Sequence, residues 1–93
     1  MSILVRFTPA SDVTTAQYDD VLQRLQQDGD FPPDGLEYHV GFIGDDGRVR
    51  VSEIWDSPEQ AQKFGERLMP LLGEAGIQVN EPEILRVHNI IRR

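Results

Sequence analysis

The stretch LEYHVGFIGDDGRVRVSEIWDSPEQ, residues 36 to 60, decides how the chain folds. LEYHVGFI and RVRVSEIW are rich in β-branched and aromatic residues, and the GDDG between them has the composition of a tight hairpin, so the two read as antiparallel neighbours. After Trp55 the pattern changes. Ser57 is placed to cap a helix, Pro58 suits its first position, Glu59 favours the positive end of the dipole and Gln60 has capping-box spacing. Ala61, Phe64, Leu68, Leu71 and Leu72 then trace a buried stripe, in which Pro70 predicts a break before Gly73 and Gly76.

Outward from this stretch the other elements follow. ILVRFT reads as a first strand ended by a turn-like Pro9, Ala10, Ser11 and Asp12. From about Thr14 the apolar residues Tyr18, Val21, Leu22 and Leu25 recur at helical spacing. Thr14 and Gln17 have capping-box spacing, and Gly29 can supply the left-handed residue after the helix. Asp30, Pro32, Pro33, Asp34 and Gly35 form a stiff loop, and beyond Ile77 and Pro82 the segment EILRVHNII reads as a fourth strand. The order strand, helix, strand, strand, helix, strand fits two split βαβ units in a single domain spanning residues 1–93. The expected class is α+β, ferredoxin-like, with a four-stranded antiparallel sheet and both helices on one face.

A chain of 93 residues with 39% hydrophobic content supports one small core, and covering more surface with a partner would stabilise it. Nine Lys plus Arg against sixteen Asp plus Glu leave a net charge of -7, which disfavours DNA, RNA and anionic lipid. There is no cysteine, hence no disulfide, thiolate metal site or thiol nucleophile. No stretch reaches the roughly 18 apolar residues of a membrane span, and SILVRFT lacks a secretory pattern, so a cytoplasmic location is expected.

Plain alternation assigns the two faces of the sheet. Ile3, Val5, Phe7, Tyr38, Val40, Phe42, Val49, Val51, Trp55, Leu85 and Val87 are expected under the helices. The opposite face carries Leu4, Ile43, Ile54 and Ile90 mixed with Arg6, His39, Arg50, Ser52, Arg86 and His88. That mixture suits half of a wet, two-fold symmetric interface, so a homodimer is expected.

The piece SEIWDSPEQAQKFGERLMPLL, residues 52 to 72, resembles the third strand and capped second helix of the dimeric α/β-barrel superfamily, which includes antibiotic-biosynthesis monooxygenases. The element order of nearly the whole chain matches that group as well. The resemblance implies two ferredoxin-like sheets closing a barrel across a dimer, with a small organic ligand held between sheet and helices in each subunit. It also implies that Trp55 lines a pocket. Heme degradation within the superfamily is disfavoured, because the first strand has no Asn and the second helix no His. RNA binding of the same topology needs aromatics on the open face of strands one and three, which here carry Arg, Ser and aliphatics. Acylphosphatase-like and amino-acid-binding relatives carry glycine-rich turns where this chain has TPASD.

Glu53 is the unusual residue, because alternation places it inward between Val51 and Trp55. Burial there disfavours the charged form and makes Glu53 the candidate catalytic proton acceptor or donor. Tyr38 and Trp55 are candidate ligand-binding walls, and Asn89 a candidate to orient a ligand oxygen. In the structural alternative Glu53 pairs with Lys63 or Arg67, Tyr38 and Trp55 fill the core, and Asn89 satisfies loop backbone. His39 and His88 fall on opposite edge strands, ~14 Å apart, too far for one metal, and read as hydrogen-bonded interface residues. Two functions fit. One is a small-molecule-binding, cofactor-independent monooxygenase-like enzyme acting on an aromatic or polyketide-like substrate, which supplies the electrons itself; the other is a non-catalytic homodimeric binding or accessory module. Neither requires a cofactor or a metal.

Overall fold

The structure, a computed structural model, describes residues 1–8, 12–29 and 31–93. The turn expected over residues 9–11, and Asp30 of the next loop, lie outside the described residues. Six elements follow one another as β1 (Ile3–Phe7), α1 (Thr15–Gln27), β2 (Leu36–Ile43), β3 (Val49–Trp55), α2 (Pro58–Glu74) and β4 (Glu83–Arg86). The strands pair antiparallel in the order β2-β3-β1-β4, the ferredoxin-like α+β arrangement. Val21 and Leu25 of α1 and Phe64 of α2 join Ile3, Val5, Val49 and Trp55 in one core, so both helices cover the same face.

Local chemistry accounts for the boundaries. Thr14 Oγ1 accepts from the Gln17 backbone N–H at 3.1 Å, and Gln17 Oε1 accepts in return from the Thr14 N–H at 3.0 Å, closing a capping box at the start of α1. Ser57 Oγ does the first of these jobs for α2, accepting from the Gln60 N–H at 3.3 Å. In the hairpin Gly47 takes φ +80°, which an L side chain would resist, and its N–H donates to Gly44 O at 2.9 Å. The break expected at Pro70 does not occur, and α2 runs through it. Pro70 and Glu66, four residues earlier, are both exposed, so the carbonyl left without its helical donor can be met by water.

Strand β2 departs from plain alternation, and this corrects the expected faces. Leu36 pairs with Trp55 but Tyr38 pairs with Ile54, so Glu37 is the extra residue of a bulge. Every later side chain of β2 is thereby moved to the other side. Tyr38, Val40 and Phe42, expected under the helices, share the outer face with Leu4 and Ile54 and are 39%, 50% and 39% exposed. His39, expected on the outer face, turns inward opposite Glu53.

The fourth strand is also shorter than expected. It pairs with β1 alone, and its ladder ends where β1 begins, at Ile3 opposite Arg86. Leu85 lies across from Leu4 and so belongs to the outer face, and Val87 falls beyond the strand, its N–H donating to Ser2 O at 3.1 Å. Beyond it the chain returns to β2, where Arg92 Nε donates to the Tyr38 hydroxyl at 2.7 Å and its guanidinium also meets the Glu37 carboxylate.

Candidate functional site

Between the helices and the inner face of the sheet lies a cavity of about 90 Å³. Its walls are mainly aliphatic and aromatic, with Val21 and Leu25 from α1, Val51 from β3 and Leu68 and Leu72 from α2 among them. The polar groups that meet it include Tyr18, His39 and Glu53, and these form one hydrogen-bonded chain. Arg50 also borders the cavity, with its guanidinium bonded to Asp46 at 3.1 Å.

The chain is built from the inside outward. Glu53 is 3% exposed, and both of its oxygens are occupied. Oε1 accepts from Trp55 Nε1–H at 3.1 Å and Oε2 lies 2.7 Å from His39 Nδ1. Trp55 and Glu53 sit two residues apart on one face of β3, which lets the indole N–H reach back along the strand. A carboxylate held by two donors is a supported buried charge, unlike an isolated one. The carboxylate only accepts, which assigns the Nδ1–H tautomer to His39; in that tautomer Nε2 is the acceptor for the Tyr18 hydroxyl, 2.6 Å away.

Tyr18 reaches His39 because β2 has no side chain at Gly41. A Cβ built there would stand 2.8 Å from Tyr18 Cζ and 2.9 Å from its hydroxyl, closer than van der Waals contact permits. The rings of Tyr18 and His39 lie within 20° of parallel, and Phe31 presents its edge to His39 with centroids 5.3 Å apart. Burial, with the Asp19 and Glu53 charges adding to it, pushes the Tyr18 phenol above its ordinary range and keeps it protonated at neutral pH. The His39 side chain retains 19% exposure, so the polar end of the cavity is not sealed.

Of the residues singled out by sequence, the structure brings together Glu53 and Trp55. Trp55 is 1% exposed and packs on Phe64 with ring centroids 5.6 Å apart, behind Glu53 and not on the cavity wall. Tyr38 is on the other side of the sheet, held by Arg92, for the reason of the Glu37 bulge. Asn89 lies past the end of β4 and is exposed, because the strand expected to carry it inward stops at Arg86. Glu53 is bonded to Trp55 on its own strand and to His39 on the neighbouring one, in place of the Lys63 or Arg67 of the structural alternative.

No family model matches the chain, and no curated protein matches it by sequence. Solved structures do. SnoaB, a cofactor-independent oxygenase from Streptomyces nogalater, superposes with a TM-score of 0.60 at 14% identity, over 99% of this chain and 96% of that one. A putative antibiotic biosynthesis monooxygenase from Chloroflexus aurantiacus gives 0.55 at 15% identity, over 96% and 94%. The chain has the fold of these proteins. At such identities the likeness speaks for the backbone alone, and the chemistry must be read from this chain's own side chains. Tyr18, His39 and Phe31 are the site residues the sequence did not place here: Tyr18 reads there as an apolar helix position and His39 as an outer-face residue. Gly41, a glycine inside a strand, was the available signal of a close approach.

Among the described residues no helix is long and apolar enough to cross a membrane, and no cluster of three or more His, Cys, Asp or Glu side chains could hold a metal.

Proposed function

We propose that the protein binds a small organic molecule in the cavity between sheet and helices and acts on it as a cofactor-independent monooxygenase-like enzyme, with an aromatic or polyketide-like substrate. The observation that carries this reading is a buried, fully supported carboxylate, Glu53, joined through His39 to a hydroxyl at the polar end of an otherwise apolar cavity. An aromatic ring matches the apolar walls, and the polar end offers a proton acceptor beside it. The reaction this serves is oxidation of an activated CH2 to C=O by molecular oxygen. The substrate carbon supplies the four electrons, one oxygen atom is retained in the product, and the other leaves as water with the two displaced hydrogens.

At about 90 Å³ the cavity is smaller than the ~150 Å³ apolar void that holds a benzene molecule. The reading therefore commits to a substrate whose reacting edge enters while its remainder lies at the rim or separates the helices. The same limited volume favours the second reading, a binding or accessory module that turns nothing over. Oxygen uptake separates the two. With metal- and flavin-free protein and a panel of hydroxylated tricyclic aromatics carrying a ring CH2, enzyme-dependent uptake of one O2 per quinone formed is expected, insensitive to chelators. Tight binding of the panel without uptake would establish the accessory reading instead.

A homodimer through the outer face of the sheet completes the proposal. Tyr38, Val40, Phe42, Leu4, Ile54 and Leu85 make that face more apolar than plain alternation suggests, interrupted by Arg6, Ser52 and Arg50.

A further inference from the structure

We propose that Tyr18, His39 and Glu53 form a proton relay whose ligand is a molecule bearing an ionisable hydroxyl, a phenol or a stable enol, and that the Tyr18 oxygen is the atom it touches. The inference rests on the proposed reading of the same cavity, but it names the contact atom, the path of the proton and the class of ligand.

The geometry gives each residue one part. Glu53 is fixed by Trp55 on one oxygen and by His39 on the other, so both oxygens are already engaged by the protein. It acts through His39, holding Nδ1–H toward itself and favouring the imidazolium if one forms, and is therefore a positioning residue. His39 Nε2 is already taken by the Tyr18 hydroxyl at 2.6 Å. A phenol oxygen that donates one hydrogen bond keeps lone pairs to accept another, and Tyr18 borders the cavity. A ligand hydroxyl placed there donates to Tyr18 O.

The step balances without any further reactant. The ligand O–H bond breaks and its proton goes to Tyr18 O, while the Tyr18 proton passes to His39 Nε2. The electron pair stays on the ligand oxygen. The result is a ligand anion hydrogen-bonded to neutral Tyr18 and an imidazolium between Tyr18 and the Glu53 carboxylate. Tyr18 is suited to this part because its raised ionisation range returns it to the neutral form. Among the described residues, the ionisable groups on the cavity beside His39 are Tyr18 from α1 and Glu53 and Arg50 from β3, the Arg50 guanidinium being held by Asp46; α2 lines the cavity with Phe64, Leu68 and Leu72, and Asp19 acts on Tyr18 from its own helix. The net charge of -7 repels an anion in solution, so a ligand that arrives neutral and ionises in place fits the whole molecule as well as the site.

The test uses p-nitrophenol, whose phenolate absorbs visible light and whose neutral form does not. The probe is added to the intact protein below its own ionisation range, in parallel with a nitrogen NMR spectrum of histidine-labelled protein. The parent is expected to bind it with the phenolate absorption and to turn His39 into an imidazolium, while the exposed His88 stays as it was. His39→Gln should bind the neutral phenol without the absorption. Tyr18→Phe should weaken binding of the coloured form about tenfold or more, as loss of a hydrogen bond to a charged group does. In Glu53→Gln, where no carboxylate faces His39 to favour the imidazolium, the phenolate absorption should fall, which a merely space-filling glutamate would not cause. The relay is overturned if the parent shows no phenolate, if the colour survives His39→Gln, or if Tyr18→Phe binds like the parent. Should His39→Gln fail to fold, the parent nitrogen spectrum decides alone. Colour without oxygen uptake from the tricyclic panel would remove the monooxygenase reading and leave the relay; uptake without colour would do the reverse.

Discussion

Glu53 accepts from two donors, and that predicts what an amide would do in its place. Glu53→Gln brings one acceptor oxygen and one NH2 group to face the Trp55 and His39 N–H groups, so one pairing must be lost or His39 must reverse its tautomer and donate from Nε2 to Tyr18. Either outcome costs stability, by about 1–3 kcal/mol for a buried polar group left imperfectly matched, read as a lower urea midpoint at unchanged slope. Tyr18 sets the other end of the chain. Its folded ionisation range is raised, first by burial, then by the Asp19 and Glu53 charges. A raised group contributes stability that is fully present below the ordinary tyrosine value of about 10 and is lost as pH rises through the folded value. Tyr18→Phe is therefore expected to flatten the alkaline side of the stability profile, measured by thermal unfolding above neutral pH, relative to the parent. An identical alkaline slope in both proteins would mean that Tyr18 does not carry the effect.

At the scale of elements, the faces of β1 and β3 were legible because both strands alternate without interruption, and that is why Glu53 and Trp55 could be placed inward from the pattern VRVSEIW alone. In LEYHVGFI the same alternation led to the wrong side. The bulge at Glu37 is a property of how β2 pairs with β3, and no residue in LEYH requires it, whereas the N-caps and the GDDG turn rest on residue types that dictate their own backbone. The inward His39, and with it most of the polar chain, was hidden for this reason. Gly41 offers a test at the same scale. The added methyl of Gly41→Ala falls on the end of the Tyr18 ring, a movable group, so the fold should survive while the Tyr18 hydroxyl is displaced from His39. A small change in melting temperature with an altered His39 nitrogen spectrum is expected. A spectrum like that of the parent would show that the close approach does not matter to the chain.

For the whole molecule the prediction is assembly. Sedimentation at micromolar concentration should give twice the 10.6 kDa mass of the chain, and Val40→Lys with Phe42→Lys should return it to one chain without unfolding it. A parent that sediments as one chain would leave the outer face without a partner copy. Element order made the ferredoxin-like fold readable at this scale, since six elements in that succession leave few ways to cover one sheet face with two helices. The size of the cavity was not readable, because it depends on how far the helices stand from the sheet. One feature of the core also makes the molecule observable by light. Trp55 is the single tryptophan, is shielded from water and donates its indole N–H to the carboxylate that faces His39. Its fluorescence should therefore be blue-shifted in the native protein and should dim when His39 acquires a proton, since a cationic imidazole withdraws excited-state electron density more readily than a neutral one. Folding, occupancy of the cavity and the protonation of its histidine would then be followed in one cuvette without any added dye.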